Sequence, residues 1–370
     1  MKILLAFDSF KGSASSAQLS DAAETSIRSQ IPDCEVMKFS IADGGEGTTA
    51  AICSALDTQA VKCLVHDPLM RPVEVEYRIT GDTAIMEMAA ASGLPLVEPT
   101  LRNPELTTTY GTGEMILDAI EKGCKTIILG IGGSATNDAA IGMLTALGVK
   151  FTDCAGNPTM RLTDVASADD SMMDARLAET RFIVACDVNN PLYGENGAAC
   201  VFAPQKGANA QQVAQLDIAL KHFAKIVYNN KGINLQEIPG AGAAGGMGGG
   251  MVAFLNAQLK SGIDVILEIT DFDKALADAD LVLTGEGRID SQSTMGKAIG
   301  GIIAHASKAN VPVVAIGGSV APDIDVEAMG LLAALSIQQG PASLEEAMIP
   351  QNTITNVQRT VTQIIRLIKK

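Results

Sequence analysis

Residues 125–140, KTIILGIGGSATNDAA, constrain the fold more than any other stretch of this 370-residue chain. The apolar run at 126–129 is short and β-branched, which predicts a buried strand. Glycines follow at 130, 132 and 133, and helix-period apolar residues begin near Thr136. In α/β proteins a strand, a glycine turn and a helix start form an anion site, because free backbone N–H groups face the ligand. The stretch therefore predicts an α/β fold with a ligand loop after this strand.

Three interpretations of this loop stay open on the residues alone. The pattern GxGxxA at 130–135 matches the dinucleotide fingerprint, with Asp153 near the distance expected of a ribose-binding acid. A phosphate or substrate loop of another fold fits equally well, and so does a tight strand-to-helix turn with an Asx cap. Asn137 and Asp138 stand at the predicted helix start, where a polar side chain can reach a ligand or a metal.

Charge and composition exclude several classes of protein. The chain is 47% hydrophobic, which indicates a globular protein, and its formal net charge is −15 with no run rich in lysine or arginine. Nucleic acid is therefore not an expected partner. The seven cysteines include no CxxC pair, so we expect reduced thiols in a cytoplasmic protein. The start, MKILLAF, is too short for a signal peptide, and no apolar run reaches membrane-spanning length.

Charged residues follow the first two predicted strands. The strand at 2–7 leads into Asp8 and Lys11, and the strand at 35–39 leads into a glycine loop that carries Asp43 and Glu46. Ligands of open α/β sheets bind beyond the carboxyl ends of strands. Lys11 is therefore a candidate for binding a phosphate or carboxylate, with a solvated loop lysine as the alternative. The two carboxylates favour a contact with a substrate hydroxyl or magnesium.

Later strands end in a similar way. The strand at 181–185 ends before Asp187, and the strand at 281–284 leads into Glu286, Arg288 and Asp290. We expect a site at the end of the strand at 281–284, although a local salt-bridged turn would use the same charges. The hydroxyl-rich residues 107–114, including Thr112, predict either phosphate contacts or a threonine-capped helix. The glycine-rich residues 240–250 predict a loop that either bends or lies against a ligand.

The rhythm of strands and helices predicts two domains. After residue 65 it gives way to an antiparallel hairpin at 73–80 and 83–88, and it returns after Asp280. Residues 1–65 and 281–370 are therefore predicted to form a discontinuous, doubly wound Rossmann-like domain with a parallel sheet. Residues 66–280 form an inserted α+β domain. Two chain crossings predict a hinge with a cleft between the domains.

Six stretches taken together resemble one family. They are DSFKG at 8–12, ADGGEGT at 42–48, GIGGSATND at 130–138, ACDV at 185–188 with NPL at 190–192, the glycine-rich residues 240–249, and TGEGRID at 284–290. In this order they resemble the type-1 glycerate kinases, the bacterial glycerate 2-kinase family. The resemblance runs from end to end. It implies a two-domain α/β kinase that uses ATP and Mg²⁺ to phosphorylate D-glycerate, usually on the 2-hydroxyl. The oligomeric state is not predicted.

Under this resemblance, phosphoryl transfer requires positioning, charge neutralisation and an oriented hydroxyl. Asp187 is the candidate that accepts or orients the hydroxyl proton, and Lys11 and Arg288 are the candidate cations for the substrate carboxylate and the transferring phosphoryl group. The remaining candidates for the substrate are Asp8, Asp43, Glu46, Asn190 and Glu286. The candidates for ATP are Thr112, Gly132, Gly133, Ser134, Asn137 and Asp138. Asp290 is the candidate magnesium ligand, and Asp43 and Glu46 are alternatives for that role.

Two other functions compete with this interpretation. The GxGxxA pattern favours a nicotinamide-dependent hydroxy-acid dehydrogenase, and a non-enzymatic sugar-acid-binding regulator is the second alternative. The regulator lacks support from the sequence, which has no basic helix-turn-helix and carries a negative charge that opposes contact with DNA.

Overall fold

The computed structural model describes residues 1–41, 52–53, 56–291, 293 and 298–369. The candidate site residues Asp43 and Glu46 lie outside these described residues. In chain order the strands are β1 (Lys2–Phe7), β2 (Glu35–Lys38), β3 (Gln59–His66), β4 (Pro72–Thr80), β5 (Thr83–Glu87), β6 (Thr126–Gly130), β7 (Lys150–Thr152), β8 (Ser167–Asp169), β9 (Arg181–Ala185), β10 (Gln258–Lys260), β11 (Leu281–Ile289), β12 (Val313–Val320) and β13 (Ala333–Ser336).

The described α-helices are given in chain order. They are α1 (Ser16–Gln30), α2 (Ala89–Ser92), α3 (Tyr110–Glu121), α4 (Ile141–Ala146), α5 (Ala198–Phe202), α6 (Ala210–Lys231), α7 (Ala243–Leu255), α8 (Gly262–Ile269), α9 (Phe272–Leu276), α10 (Ala298–Lys308), α11 (Leu344–Ala347) and α12 (Pro350–Ile368). Even the long helices are amphipathic: α12 buries Val357, Val361 and Ile364, which recur on one face. Within the described ranges, no helix combines the length and the apolar character that crossing a membrane requires.

One compact unit consists of residues Met1–Leu56 and Gly262–Lys370. Its described strands form a parallel sheet in the order β13-β12-β11-β1-β2. From the adjacent pair β1 and β11, the chain continues outward to β2 on one side and to β12 on the other. The strand order therefore reverses between β1 and β11, and a crevice is expected at the carboxyl ends of these two strands. This sheet confirms the predicted parallel α/β class.

Alternating burial explains why β1 is central to this unit. Ile3, Leu5 and Phe7 pack in one core with residues of α1 and α12, and Leu4 and Ala6 face the opposite side of the sheet. All five side chains are fully buried. Burial of each large one contributes about 1.5–3 kcal/mol, so the strand that precedes Asp8 is held firmly.

His305 on α10 lies between carboxylates of two neighbouring helices. Its Nδ1 is 2.6 Å from Oδ1 of Asp273 on α9, and its Nε2 is 3.4 Å from Oδ1 of Asp264 on α8. Hydrogen bonding to Asp264, followed by bonding to Asp273, raises the pKa of His305 above its ordinary value despite desolvation. The protonated imidazole therefore ties α8 and α9 to α10.

We expect Asp273→Asn to lower stability more at about pH 5 than at about pH 8.5. The folded pKa of His305 lies above the unfolded value of about 6.5, so the stabilisation is complete below that pH and is lost as pH rises through the folded pKa. The loss at low pH should stay below about 1 kcal/mol because both carboxylates are substantially exposed. Thermal unfolding at both pH values, with exposed Asp323→Asn as the control, measures the difference. An equal loss at both would contradict this account.

The second compact unit consists of residues Asp57–Ser261. Its larger described sheet has the order β10-β9-β6-β5-β4-β3, in which β3, β4 and β5 are antiparallel and β5, β6, β9 and β10 are parallel. The predicted hairpin is confirmed, since β4 and β5 pair across a turn with Gly81 at φ +56°. The small pair β7 and β8 stands apart from this sheet.

The boundaries between the two units along the chain differ from the predicted domain boundaries, which are 65/66 and 280/281. Strand β3 belongs to the second unit because it pairs with β4 over its whole length, from Gln59 to His66. Helices α8 and α9 belong to the first unit, where they pack against α10 and His305. Strand β3 is joined to β4 by a short connection, whereas α8 and α9 reach α10 across the intervening strand β11, so only the second contact is long-range.

Candidate active site

A cavity of about 470 Å³ lies where the strand order of the first unit reverses. It is lined by Asp8 and Lys11, which follow β1, and by Glu286, Arg288 and Asp290 from the end of β11. A backbone hydrogen bond connects the end of β1 to β11, since the N–H of Asp8 donates to the carbonyl of Gly285 at 2.9 Å. The structure therefore brings together five of the predicted site residues. The remaining walls come from β12, from the segment after β13 and from the last two helices.

Strand alternation places Glu286 and Arg288 of β11 and Asp290, which directly follows the strand, on one side. The strand runs to Ile289, beyond its predicted end, so Glu286, Arg288 and then Asp290 recur at every second position. Arg288 is largely exposed, with its Nε 3.4 Å from Oδ2 of Asp290. Asp8 is buried and its Oδ1 accepts a 2.7 Å hydrogen bond from the N–H of Ser9. Cations and carboxylates thus share one cavity that could hold a small anion with hydroxyl groups.

In the second unit, the loop after β6 does not begin a helix. Residues 131–140 form turns, and helix α4 begins only at Ile141. Ala139 and Ala140 have φ values of +49° and +67°, a conformation that costs an L-residue about 1–2 kcal/mol each. The predicted helix start near Thr136 is therefore wrong. The dinucleotide fingerprint is not supported either, because it requires a helix that opens within the glycine motif.

The hydroxyl-rich residues 107–114 hold this loop in place. Thr107 Oγ1 donates to the carbonyl of Ala135 at 2.8 Å. The N–H and Oγ1 of Thr109 donate to Oδ2 of Asp138 at 2.9 and 2.8 Å. Thr112 lies fully buried in α3, where its Oγ1 is 2.7 Å from Oγ of Ser92. Its predicted contact with ATP stays a prediction.

The glycine-rich segment packs against the other side of the loop. Helix α7 contains left-handed residues at 244–246, and a Cβ on Gly245 would lie 2.2 Å from the carbonyl oxygen of Thr136. The N–H of Ala139 donates to the carbonyl of Gly245 at 3.0 Å. A Cβ on Gly250 would lie 2.4 Å from the carbonyl oxygen of Ala139. Close backbone contact, which only glycine permits, therefore maintains the left-handed alanines.

The same segment positions the residues that follow β9. Asp187 is exposed two residues after this strand ends. The carbonyl of Asn190 accepts a 3.0 Å hydrogen bond from Gly242, and its Nδ2 donates to the carbonyl of Asn196 at 2.9 Å. A Cβ on Gly242 would lie 2.1 Å from the carbonyl oxygen of Pro191. Segment 240–250 thus contacts both loops that carry predicted site residues of this unit.

Several polar atoms of the β6 loop are buried without a hydrogen-bond partner in the described structure. They are Oγ1 of Thr136, both amide atoms of Asn137 and Oδ1 of Asp138. Such atoms cost roughly 1–3 kcal/mol each unless a ligand or water satisfies them. Burial also raises the pKa of Asp138 against its hydrogen bonds from Thr109. Gly132 and Gly133 beside them are exposed, so the loop offers both backbone access and unsatisfied side chains.

Two polar residues of this unit were missed by the sequence analysis. Lys206 is almost completely buried, and its Nζ donates to Oγ of Ser134 and to the carbonyl of Thr136, each at 2.6 Å. Glu87 ends β5 in register with Gly130, and a Cβ on that glycine would lie 2.2 Å from Oε2 of Glu87. Only the position of Glu87 at a strand end could have indicated it.

Comparisons with known proteins agree on one family. Residues 3–369 match the model of the glycerate kinase family. The chain is 47% identical to a glycerate kinase of Haemophilus influenzae over 88% of both chains. It is 44% identical to the glycerate 2-kinase of Escherichia coli K12 over 94% of this chain and 93% of the other.

A solved structure extends the agreement to the fold. The crystal structure of a Salmonella typhimurium LT2 protein assigned as glycerate kinase 2 superposes with a TM-score of 0.84. It is 42% identical and covers 100% of this chain and 98% of its own. The sequence match over nearly all residues and the shared fold lead to one conclusion: the chain belongs to the glycerate kinase family.

Proposed function

We propose that this protein transfers the γ-phosphoryl group of ATP to the 2-hydroxyl of D-glycerate, giving 2-phospho-D-glycerate and ADP. The observation that carries the proposal is the family match over residues 3–369. The relative from Escherichia coli is a glycerate 2-kinase, which supports the 2-hydroxyl as the acceptor. The cavity of the first unit, which combines two cations with carboxylates, has the polar character that a hydroxy acid requires.

The cations of this cavity bind anionic groups in the proposed reaction. Lys11 and Arg288 neutralise the glycerate carboxylate or the phosphoryl group during transfer, since charge neutralisation is a main requirement of this chemistry. Asp8 and Glu286 accept hydrogen bonds from the substrate hydroxyls. Arginine suits such a role because its planar donors match carboxylate and phosphate oxygens.

Asp290 is the proposed ligand of Mg²⁺. Its carboxylate is partly exposed and lines the cavity, and magnesium typically takes one or two carboxylates together with phosphate oxygens. The hard oxygen donors of Asp290 and Glu286 therefore fit this metal. When bound, Mg²⁺ would neutralise charge on the phosphates of ATP.

Asp187 is the proposed general base. Its carboxylate accepts or orients the proton of the 2-hydroxyl, so that the oxygen attacks the γ-phosphorus while the bond to the β-γ bridging oxygen breaks and ADP leaves. Asn190, three residues further, orients the substrate. Contacts with the glycine-rich segment hold the backbone here, which supports a fixed position for the carboxylate.

The β6 loop is the proposed contact for the phosphates of ATP. Gly132 and Gly133 let a ligand approach the backbone, and Ser134 and Asn137 provide polar side chains. Asp138 fixes the loop through Thr109 and Gly142. The unsatisfied amide of Asn137 supports this assignment, because a ligand would supply the missing hydrogen bonds.

Incubation of the protein with D-glycerate separates this function from the two alternatives. With ATP and Mg²⁺ we expect one ADP released for each glycerate consumed, measured by chromatography. With NAD⁺ we expect no absorbance of reduced cofactor, because neither the family match nor the β6 loop favours a dehydrogenase. Binding of glycerate without any turnover would instead support a regulator.

We expect Lys11→Ala to raise KM for glycerate or lower kcat by about 10- to 1,000-fold, the scale of a lost contact to a charged group. Lys11 lines the cavity beside Asp8 at the end of β1. Steady-state kinetics with both substrates varied gives the two parameters. Lys308→Ala, an exposed lysine of the same unit, is the control and should retain wild-type kinetics. If the Lys11 variant matches that control, Lys11 has no role in the site.

A further inference from the structure

Lys206 is fixed in direction by its surroundings. It ends the short 3-10 helix Pro204–Lys206, and Gly207 follows with φ +98°. A Cβ on Gly207 would lie 2.3 Å from the carbonyl oxygen of Arg102, so the backbone turn has little freedom. The side chain consequently enters the protein interior, where 2% of the residue is exposed. The amine of Lys206 therefore interacts with the protein groups around it and not with solvent.

Those groups belong to the β6 loop, about 70 residues earlier in the chain. Nζ of Lys206 donates to Oγ of Ser134 and to the carbonyl of Thr136. Burial lowers the pKa of Lys206 to about 7, although the charge of Asp138 opposes this shift. An apolar side chain of similar volume would avoid the desolvation of an amine. Compared with such an apolar side chain, the lysine adds two hydrogen bonds, and both of them restrain the β6 loop.

The two residues that Lys206 restrains stand at the start of the stretch that carries the unsatisfied polar atoms. Thr136 directly precedes Asn137 and Ser134 lies three residues before it, and the two amide atoms of Asn137 are buried without a hydrogen-bond partner in the described ranges. On the other side, Gly245 packs against the carbonyl of Thr136. Lys206 and the glycine-rich segment therefore restrain the loop from two directions, and they leave Asn137 preorganised for a ligand.

We propose that Lys206 is a positioning residue that holds Ser134 and Asn137 in the arrangement that receives the phosphates of ATP. This inference rests on the proposed kinase function and on the assignment of ATP to the β6 loop. Lys206 itself does not touch the nucleotide, because the loop covers its amine. Its loss should weaken nucleotide binding and leave glycerate binding intact.

The test compares Lys206→Met with the matched control Lys225→Met, an exposed lysine on α6. Glycerate turnover by the wild-type protein is measured first, since its absence would count against the proposed function alone. With turnover established, we expect Lys206→Met to raise the Kd for ATP by about 10-fold or more, on the scale of hydrogen bonds to a charged group. KM for glycerate should stay within about twofold of wild type. A wild-type Kd for ATP in the Lys206 variant would overturn the inference.

A double-mutant cycle with Ser134→Ala distinguishes positioning from general support of the fold. If Lys206 positions Ser134, removal of the serine hydroxyl should raise the Kd for ATP in the wild type and change it little in Lys206→Met. Independent effects of the two substitutions would contradict the inference. Should Lys206→Met fail to fold, Lys206→Arg replaces it. The arginine of Lys206→Arg retains a cation with donors for both oxygens, so this variant should bind ATP more tightly than Lys206→Gln. Equal ATP affinity of these two variants would also contradict the inference.

Discussion

Asp187→Asn is expected to lower kcat by about 100-fold or more and to leave the affinity for ATP nearly unchanged. The substitution keeps the size of the side chain and removes the carboxylate that is proposed to accept the proton. Asp187 is suited to this role because it follows a buried strand and remains exposed, while the glycine-rich segment holds the next residues of its loop. Initial rates at saturating ATP and glycerate, together with a nucleotide titration, measure both quantities.

The pattern of loss decides between three roles for Asp187. Asp33→Asn changes another exposed aspartate and should leave the kinetics at wild-type values. If Asp187→Asn lowers the affinity for ATP as strongly as kcat, the carboxylate is a ligand of magnesium, because the metal bridges the nucleotide phosphates. An unchanged kcat removes Asp187 from the site, and Asp138 becomes the next candidate for the base.

Gly245→Ala is expected to be among the most destabilising single substitutions in the second unit. Gly245 has φ +72°, and its Cβ would lie 2.2 Å from the carbonyl oxygen of Thr136 and 2.6 Å from Cα of Asn137. Both neighbours are backbone atoms, so the loop or the helix must move. We expect the free energy of unfolding to fall by about 1–2 kcal/mol for the left-handed conformation and by about 1–3 kcal/mol more for the forced shift.

Gly232→Ala isolates the two contributions. Gly232 has nearly the same φ, +71°, but a Cβ there would meet no atom within 4 Å. It should therefore lose only the conformational part, about 1–2 kcal/mol, and retain activity. Urea unfolding followed by circular dichroism compares the variants. Equal losses at the two glycines would mean that close packing of Gly245 against Thr136 contributes nothing to stability.

Local sequence pattern was sufficient to predict the strands that organise the fold. Strands β6 and β9 are short apolar runs and β11 begins with one, and polar residues follow each of these runs near the carboxyl end of the strand. At the carboxyl ends of β1 and β11 these residues share a cavity, because parallel strands end at the same edge. Placement by strand end therefore predicted Asp8, Lys11 and Arg288 together.

Residues whose conformation depends on distant contacts were not predictable in this way. Alanine favours right-handed helix, so the left-handed Ala139 gave no local signal, and it is maintained by Gly245 more than 100 residues later. Lys206 follows proline and glutamine in a pattern typical of a solvated turn, yet its amine is buried against Ser134. The same long-range contacts explain why no helix begins at Thr136.

Phosphorus NMR of the isolated product shows whether the protein phosphorylates the 2-hydroxyl of D-glycerate with ATP. The phosphorus of 2-phosphoglycerate couples to the single proton on the carbon that bears the phosphate, so we expect a doublet that appears as ADP accumulates. A triplet, from coupling to the two protons of a phosphorylated CH₂ group, would contradict the assignment to the 2-hydroxyl. Failure of any phosphate ester to form, in a folded protein supplied with ATP, Mg²⁺ and D-glycerate, would contradict the kinase function itself.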